Sequence, residues 1–158
     1  MALPQLSFGL KFRRLRFRAD GVLLSRWSYF LSTTFLTYMF WWSGLTKLWD
    51  FSSARAEMLN FGLKPAALFS VATIALELGG SVVLVAGGRF AWIGAAALAA
   101  FTLATIPVAH DFWNKEGTTA FLDKAIAQEH LSVVGGLLVA AILAQWVARR
   151  EDGESHRR

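Results

Sequence analysis

Residues 66–86 read AALFSVATIALELGGSVVLVA, a run in which Glu77 is the only charged residue. At ~1.5 Å per residue, a helix of this length crosses the ~30 Å hydrocarbon core of a bilayer. Three further runs, 27–46, 90–109 and 131–147, contain no charged residue at all. The sequence therefore predicts an all-α integral membrane protein with a four-helix transmembrane bundle.

The composition agrees with a membrane protein. Of the 158 residues, 55% are hydrophobic and 17% are charged, whereas about a quarter of the residues of a soluble domain are charged. The charges lie in short stretches between the apolar runs, which divides the chain into a basic amphipathic arm (1–26), a transmembrane domain (27–147) and a charged tail (148–158). The first apolar run has no small-residue cleavage site, so it reads as a retained span.

The distribution of lysine and arginine predicts the orientation. Eleven of these residues flank the inner ends of the predicted spans, and five lie in the two connections on the opposite side. We therefore expect a multi-pass protein of the inner (plasma) membrane with both termini in the cytoplasm. Each outer connection is predicted to contain a short interfacial helix: one capped by Ser53 and ending at Asn60, the other within 110–130.

The charge pattern and the residue types also exclude several functions. The net charge is +5, but the basic residues flank apolar segments, which favours lipid headgroups over nucleic acid as the partner. The chain has no cysteine, which excludes disulfide exchange, thiolate metal sites and iron–sulfur clusters. No His-x-x-His spacing occurs, so the sequence predicts no metal site.

Small residues at four-residue spacing predict where the helices pack. In the third span these are Ala96, Ala100 and Ala104; in the fourth they are Ser132, Gly136, Ala140 and Ala144.

Glu77 is the most informative single residue, because it lies near the middle of its helix. An ionised acid at the bilayer centre costs about 2.5–3.5 kcal/mol on insertion scales. Ser70, Thr73 and Ser81 share its helix face, so this polar stripe is expected to face the bundle interior. Glu77 is then either a catalytic carboxyl that handles protons or a structural group that bonds across helices.

The other candidate residues lie at the predicted outer boundary. Lys47 either turns inward beside Gly44 or extends to the interface. His110 ends the third span and His130 opens the fourth; each could relay protons, bind a polar ligand or be purely structural. Trp42 and Trp113 fit an interfacial aromatic belt, and stacking on a quinone-type ring is the alternative.

Three short motifs carry a family resemblance: Gly44-Leu45-Thr46-Lys47-Leu48, Glu77-Leu78-Gly79-Gly80 and His110-Asp111-Phe112-Trp113. In order and spacing they resemble the DoxX family of small four-helix membrane proteins. The resemblance implies an association with membrane redox chemistry, since one branch of the family is a subunit of a thiosulfate:quinone oxidoreductase.

Two functional hypotheses follow. In the first, the chain is a redox-associated, quinone- or sulfur-linked membrane subunit with a polar pocket open to the outer face. Glu77 and Lys47 would act there with His110 and His130 on a quinone or a small anionic ligand. In the second, it is a non-catalytic anchor or assembly scaffold for a partner enzyme. A protein partner or a homo-oligomer is expected in either case.

Overall fold

A computed structural model describes residues 21–23 and 25–155. The predicted basic arm lies mostly outside the described residues. From residue 25 onward, the described chain forms six α-helices, with 3-10 turns at Gly88–Phe90 and Phe112–Asn114. The helices are α1 (Arg26–Leu36), α2 (Tyr38–Trp49), α3 (Phe51–Asn60), α4 (Ala66–Ala86), α5 (Ala91–Ala109) and α6 (Gly117–Ser155).

The run predicted as one helix over 27–46 is divided at Thr37 into α1 and α2. The Thr37 hydroxyl donates a 2.7 Å hydrogen bond to the Thr33 carbonyl and accepts one of 2.9 Å from Trp41 Nε1. Threonine hydroxyls that bond back to the preceding turn bend helices. The prediction of a single helix ending at Thr46 is therefore corrected to two helices, the second of which continues to Trp49.

The short helix predicted in the first outer connection is present as α3, but its cap is Asp50 rather than Ser53. An Asp50 carboxylate oxygen accepts a 3.0 Å bond from the Ser53 backbone N–H. Hydrogen bonds from the Ser53 side chain, and then from its backbone, hold the pKa of Asp50 below its usual value. The helix stops before Gly62, whose positive φ of 73° suits the turn that leads to α4.

The predicted short α-helix within residues 110–130 is not a separate element, which corrects that part of the prediction. α6 begins at Gly117 and continues without interruption past Leu131, where the fourth helix was predicted to start. Residues 118–134 contain neither proline nor glycine, so nothing in this segment ends the helix.

Among the described residues, several polar side chains are buried, whereas many large apolar side chains face outward. Thr33, Thr37, Ser70, Glu77, Ser81, Thr102 and His130 are buried. In contrast, Phe35 is 77% exposed and Ile142 is 69% exposed. Three segments, Ala66–Ala86, Gly88–Asn114 and Gly117–Arg149, are long and apolar enough to cross a membrane. An apolar exterior of this kind fits lipid rather than water as the surrounding solvent.

The helices pack as a bundle that is tight at one end. α4 packs on α5, α5 on α6, and α1 on both α4 and α6, whereas α2 packs on α4 and α3. Leu84, Leu98 and Leu137 are fully buried between them, and the Tyr29 hydroxyl donates a 2.5 Å bond to the Leu84 carbonyl.

The predicted small-residue face of the third span has the wrong register. Ala96, Ala100 and Ala104 are exposed, and the buried alanines of α5 are Ala91, Ala95 and Ala99. In α6, Ala140 and Ala144 are buried as predicted, whereas Gly136 is half-buried and Ser132 is exposed.

Candidate functional site

A cavity of about 280 Å³ lies at the end of the bundle that carries α3 and the α5–α6 connection. It is enclosed by α2, α3, α4, α5 and α6. Its polar lining residues are Ser43, Lys47, Glu57, Thr73, Glu77, Thr102, Thr105, His110 and His130. Four of the residues predicted from the sequence, Glu77, Lys47, His110 and His130, are thus brought to one cavity.

Glu77 lies at the buried end of this cavity and is only 4% exposed. Its Oε1 accepts a 2.9 Å hydrogen bond from the Ser43 hydroxyl. Its Oε2 is buried and has no hydrogen-bond partner among the described residues. Buried polar atoms are normally hydrogen-bonded, so Oε2 stands out as an unsatisfied buried acceptor on a residue that lines the cavity.

Lys47 turns inward, which decides between the two orientations that the sequence left open. Its ammonium donates a 2.7 Å bond to Ser43 Oγ and lies 3.4 Å from Glu57 Oε2. The side chain of Lys47 is 14% exposed and that of Glu57 is 41% exposed. A continuous set of polar contacts therefore leads from buried Glu77 to half-exposed Glu57.

Gly44 allows α2 to approach α4 closely enough for these contacts. A Cβ at this position would lie 2.7 Å from Leu78 Cδ2 and 3.4 Å from Glu77 Cβ. Because Gly44 has no side chain, α2 and α4 lie close enough for the Ser43 hydroxyl to bond with Glu77.

The two histidines contact each other across the α5–α6 end of the cavity. Their ring centroids are 5.0 Å apart, with the ring planes at 79°. His110 Nδ1 lies 3.3 Å from Asp123 Oδ1, and His130 is 9% exposed. Asp123 thus orients His110 from α6, the same helix that carries His130.

Lys115 ties the α5–α6 connection to α6. Its ammonium lies 2.8 Å from Asp111 Oδ1, 2.6 Å from Asp123 Oδ2 and 3.3 Å from the Ala109 carbonyl at the end of α5. Hydrogen bonds to Asp111 and then to Asp123 raise the pKa of Lys115. Despite these acids and the two histidines, the described residues contain no group of three side chains placed to hold a metal ion.

The two predicted tryptophans lie elsewhere. Trp42 is 63% exposed and Trp113 is 55% exposed, and neither lines the cavity. Sequence reasoning missed Ser43, Glu57 and Asp123. No periodicity links these three to Glu77, because they come from different helices.

An apolar groove between α4 and α5 adjoins the cavity. Its volume is also about 280 Å³, and five of its lining residues are shared with the cavity: Leu63, Thr73, Phe101, Thr105 and Val108. The remainder of the groove consists of Phe69, Ala72, Leu76 and Ala104. Phe69 is 37% exposed, so the polar cavity continues into an apolar groove on the outside of the bundle.

The sequence model of the DoxX family matches residues 33–111, which is half of the chain. The chain belongs to the DoxX family. This confirms the resemblance seen in the three motifs. A comparison with curated proteins gave no match, and neither did a comparison with solved structures.

The DoxX match covers most but not all of the cavity. Ser43, Lys47, Glu57, Glu77 and His110 lie within the matched residues. His130 and Asp123 lie on α6, beyond the match. The cavity of this DoxX protein therefore combines a family-matched part on α2 to α5 with His130 from α6.

Proposed function

We propose that this DoxX protein is a redox-associated membrane subunit that binds a quinone-like, lipid-soluble ligand in the cavity. The observation that carries the proposal is the Glu77 carboxyl, buried at the cavity's inner end with Oε2 unpartnered. A quinol hydroxyl is a hydrogen-bond donor of the kind that this oxygen lacks.

In this proposal, Glu77 accepts the proton of a ligand hydroxyl while the electrons pass to a redox partner. His110 and His130 lie at the other side of the same cavity, where an imidazole can donate to or accept from a second ligand oxygen. The quinone supplies the two-electron chemistry, and the protein supplies position and proton transfer.

The pairing of the cations favours a neutral ligand over a sulfur oxyanion. Lys47 already contacts Glu57, and Lys115 already contacts both Asp111 and Asp123. An anion would have to compete with these carboxylates. The apolar groove between α4 and α5 further supports a lipid-soluble ligand, because a hydrocarbon tail can lie there while the ring occupies the cavity.

We also propose four membrane crossings with both termini in the cytoplasm. α1 and α2 together span residues 26–49, about 36 Å at 1.5 Å per residue, so the pair is long enough for one crossing despite the bend at Thr37. The excess of lysine and arginine on the predicted inner side supports this orientation. In that arrangement, the cavity opens on the outer side of the plasma membrane.

Binding of decylubiquinone to the purified protein in nanodiscs tests the proposed ligand class. We expect Glu77→Met to weaken binding about tenfold or more, which corresponds to ~1.4 kcal/mol for the lost hydrogen bond. Glu129→Met is the matched control, because Glu129 is exposed and does not line the cavity. Equal affinity in the two variants would contradict the proposal and favour the scaffold hypothesis.

A further inference from the structure

We propose that Glu57, Lys47 and Ser43 form a relay that carries protons between the outer aqueous face and Glu77. The inference rests on the proposed function in taking Glu77 as a group that changes its protonation, and on the proposed topology in placing the cavity on the outer side. It adds the route and assigns roles to Ser43 and Glu57.

The contacts form an unbroken series. Ser43 Oγ donates to Glu77 Oε1 at 2.9 Å, Lys47 Nζ donates to Ser43 Oγ at 2.7 Å, and Glu57 Oε2 lies 3.4 Å from Lys47 Nζ. The exposed fraction rises along the series from 4% at Glu77 to 14% at Lys47 and 41% at Glu57. Glu77 is therefore shielded from solvent, whereas the Glu57 side chain reaches it.

The donors are oriented for inward transfer. Lys47 donates to Ser43, and Ser43 donates to Glu77, so each hydrogen already lies on the bond along which it would move. In the transfer, the Ser43 O–H bond breaks as a new O–H bond forms on ionised Glu77. Ser43 Oγ takes a proton from Lys47 at the same time, which leaves Lys47 and Glu77 both neutral.

Glu57 completes the cycle. Its carboxylate takes a proton from outer water and passes it to the neutral Lys47 amine, which restores the ammonium and the Glu57 carboxylate. The net result is one proton moved from outer water to Glu77, and the same steps in reverse carry the proton of a ligand hydroxyl from Glu77 to outer water. No electron is transferred, and the charge is balanced at every step.

The other ionisable groups that line the cavity are His110 on the α5 side and His130 on α6. Among the described residues, the hydrogen bond to the Glu77 carboxyl comes from Ser43, whereas His110 contacts Asp123. The histidines are therefore the competing route that an experiment must separate from the relay.

Time-resolved infrared spectroscopy of the full chain in nanodiscs can follow the relay. A light-triggered proton release outside the disc should be followed by growth of the C=O band of protonated Glu77, which Glu77→Gln assigns by removing it. We expect Ser43→Ala and Glu57→Gln each to slow this growth about tenfold or more, since a positioned proton donor accelerates transfer by ~10²–10⁴.

Two variants serve as controls. Ser43→Thr keeps the hydroxyl and should restore a rate close to that of the unaltered protein, which a purely steric effect of Ser43→Ala would not explain. Glu129→Gln removes an exposed acid outside the cavity and should leave the rate unchanged. Glu57 is half-exposed, so Glu57→Gln tests the relay without disturbing the buried packing.

If the C=O band of Glu77 grew at an unaltered rate in both Ser43→Ala and Glu57→Gln, the relay would be overturned. It would also be overturned if, of these three variants, only His110→Ala slowed the growth of the band. These results would leave the proposed ligand site intact if decylubiquinone binding still depended on Glu77. Absence of the Glu77 band under all conditions would overturn the relay together with the proton-carrying role of Glu77.

Discussion

Glu77 is held by fewer contacts than its burial requires. One carboxyl oxygen is bonded to Ser43, and hydrogen bonds between membrane helices contribute only about 0.6 kcal/mol on average. The other oxygen is unpartnered, and a buried polar atom without a partner costs about 1–3 kcal/mol. The carboxyl thus lowers the stability of the fold around it.

We therefore expect Glu77→Met to raise the free energy of unfolding, because methionine has a similar shape and no polar atom to leave unbonded. Reversible unfolding in mixed micelles measures the change. Glu129→Met, at an exposed position, should have little effect. A clear loss of stability in Glu77→Met alone would instead identify the carboxyl as a structural cross-link between α2 and α4.

The sequence predicts the depth of Glu77 but not its partner. Counting residues from the start of the helix predicts a position near the membrane centre. Its partner is one of several hydroxyls in residues 27–49, and the choice of Ser43 depends on how α2 and α4 are aligned. Gly44 sets that alignment through its close contact with Leu78. The spacing of residues along one helix does not predict such a contact with another helix.

α4 and α5 cross closely at Gly94. A Cβ on Gly94 would lie 2.5 Å from the Gly80 carbonyl oxygen and 2.8 Å from the Leu84 nitrogen. Both atoms belong to the backbone, so neither can rotate away. An added methyl group would have to separate the two helices.

Gly94→Ala should lower the free energy of unfolding by about 1–3 kcal/mol, the usual cost of overpacking a close contact. Gly135→Ala is the matched control, since a Cβ there meets no atom within 4 Å. Thermal melts of the two variants in one detergent give the comparison. Equal melting temperatures would show that the α4–α5 crossing is not tight.

The register of this crossing could not be predicted from spacing. α5 contains alanine at both 95 and 96 and at both 99 and 100, so two overlapping series satisfy the four-residue rule. The buried series is Ala91, Ala95 and Ala99, which lies on the same face as Gly94. Gly94 fixes this face toward α4, because a residue with a Cβ would collide there with the α4 backbone. A packing face is therefore decided by its most restrictive residue rather than by the number of small residues.

The α5–α6 connection depends on Lys115. Because the folded protein raises the pKa of this ammonium, its stabilising contribution is present below the unfolded value near 10.5 and is lost as the pH rises through the folded value. We expect Lys115→Met to lower the melting temperature at pH 8 and to lose this difference at strongly alkaline pH. Lys124→Met, at an exposed position, should match the unaltered protein at both pH values.

At the scale of the whole molecule, the helices of the membrane domain were predicted better than the segments between them. α4 has the predicted bounds, and α5 begins one residue late. These runs are long and apolar, so the change to polar residues, proline or glycine at each end marks the helix bounds clearly. The bend at Thr37 and the extension of α6 to Gly117 depend on local hydrogen bonds and on the absence of helix breakers, which hydropathy does not report.

The proposed topology can be tested by labelling, because the natural chain has no cysteine. Single cysteines at Ala56 and Thr118 should react with a membrane-impermeant maleimide in intact cells. Cysteines at Ser7 and Arg89 should react only after permeabilisation. Labelling of the Ser7 position from outside would show that residues 26–49 do not cross the membrane, which would leave three crossings.

The cavity is confined to one end of the bundle. Beyond Glu77, the fully buried Leu84, Leu98 and Leu137 fill the space between the helices. Among the described residues, the cavity is therefore closed beyond Glu77 and does not continue to the opposite end of the bundle. In the proposed topology, a proton that reaches Glu77 from outside crosses only part of the membrane voltage and returns by the same side, so its exchange should dissipate none of the ion gradient that the membrane maintains.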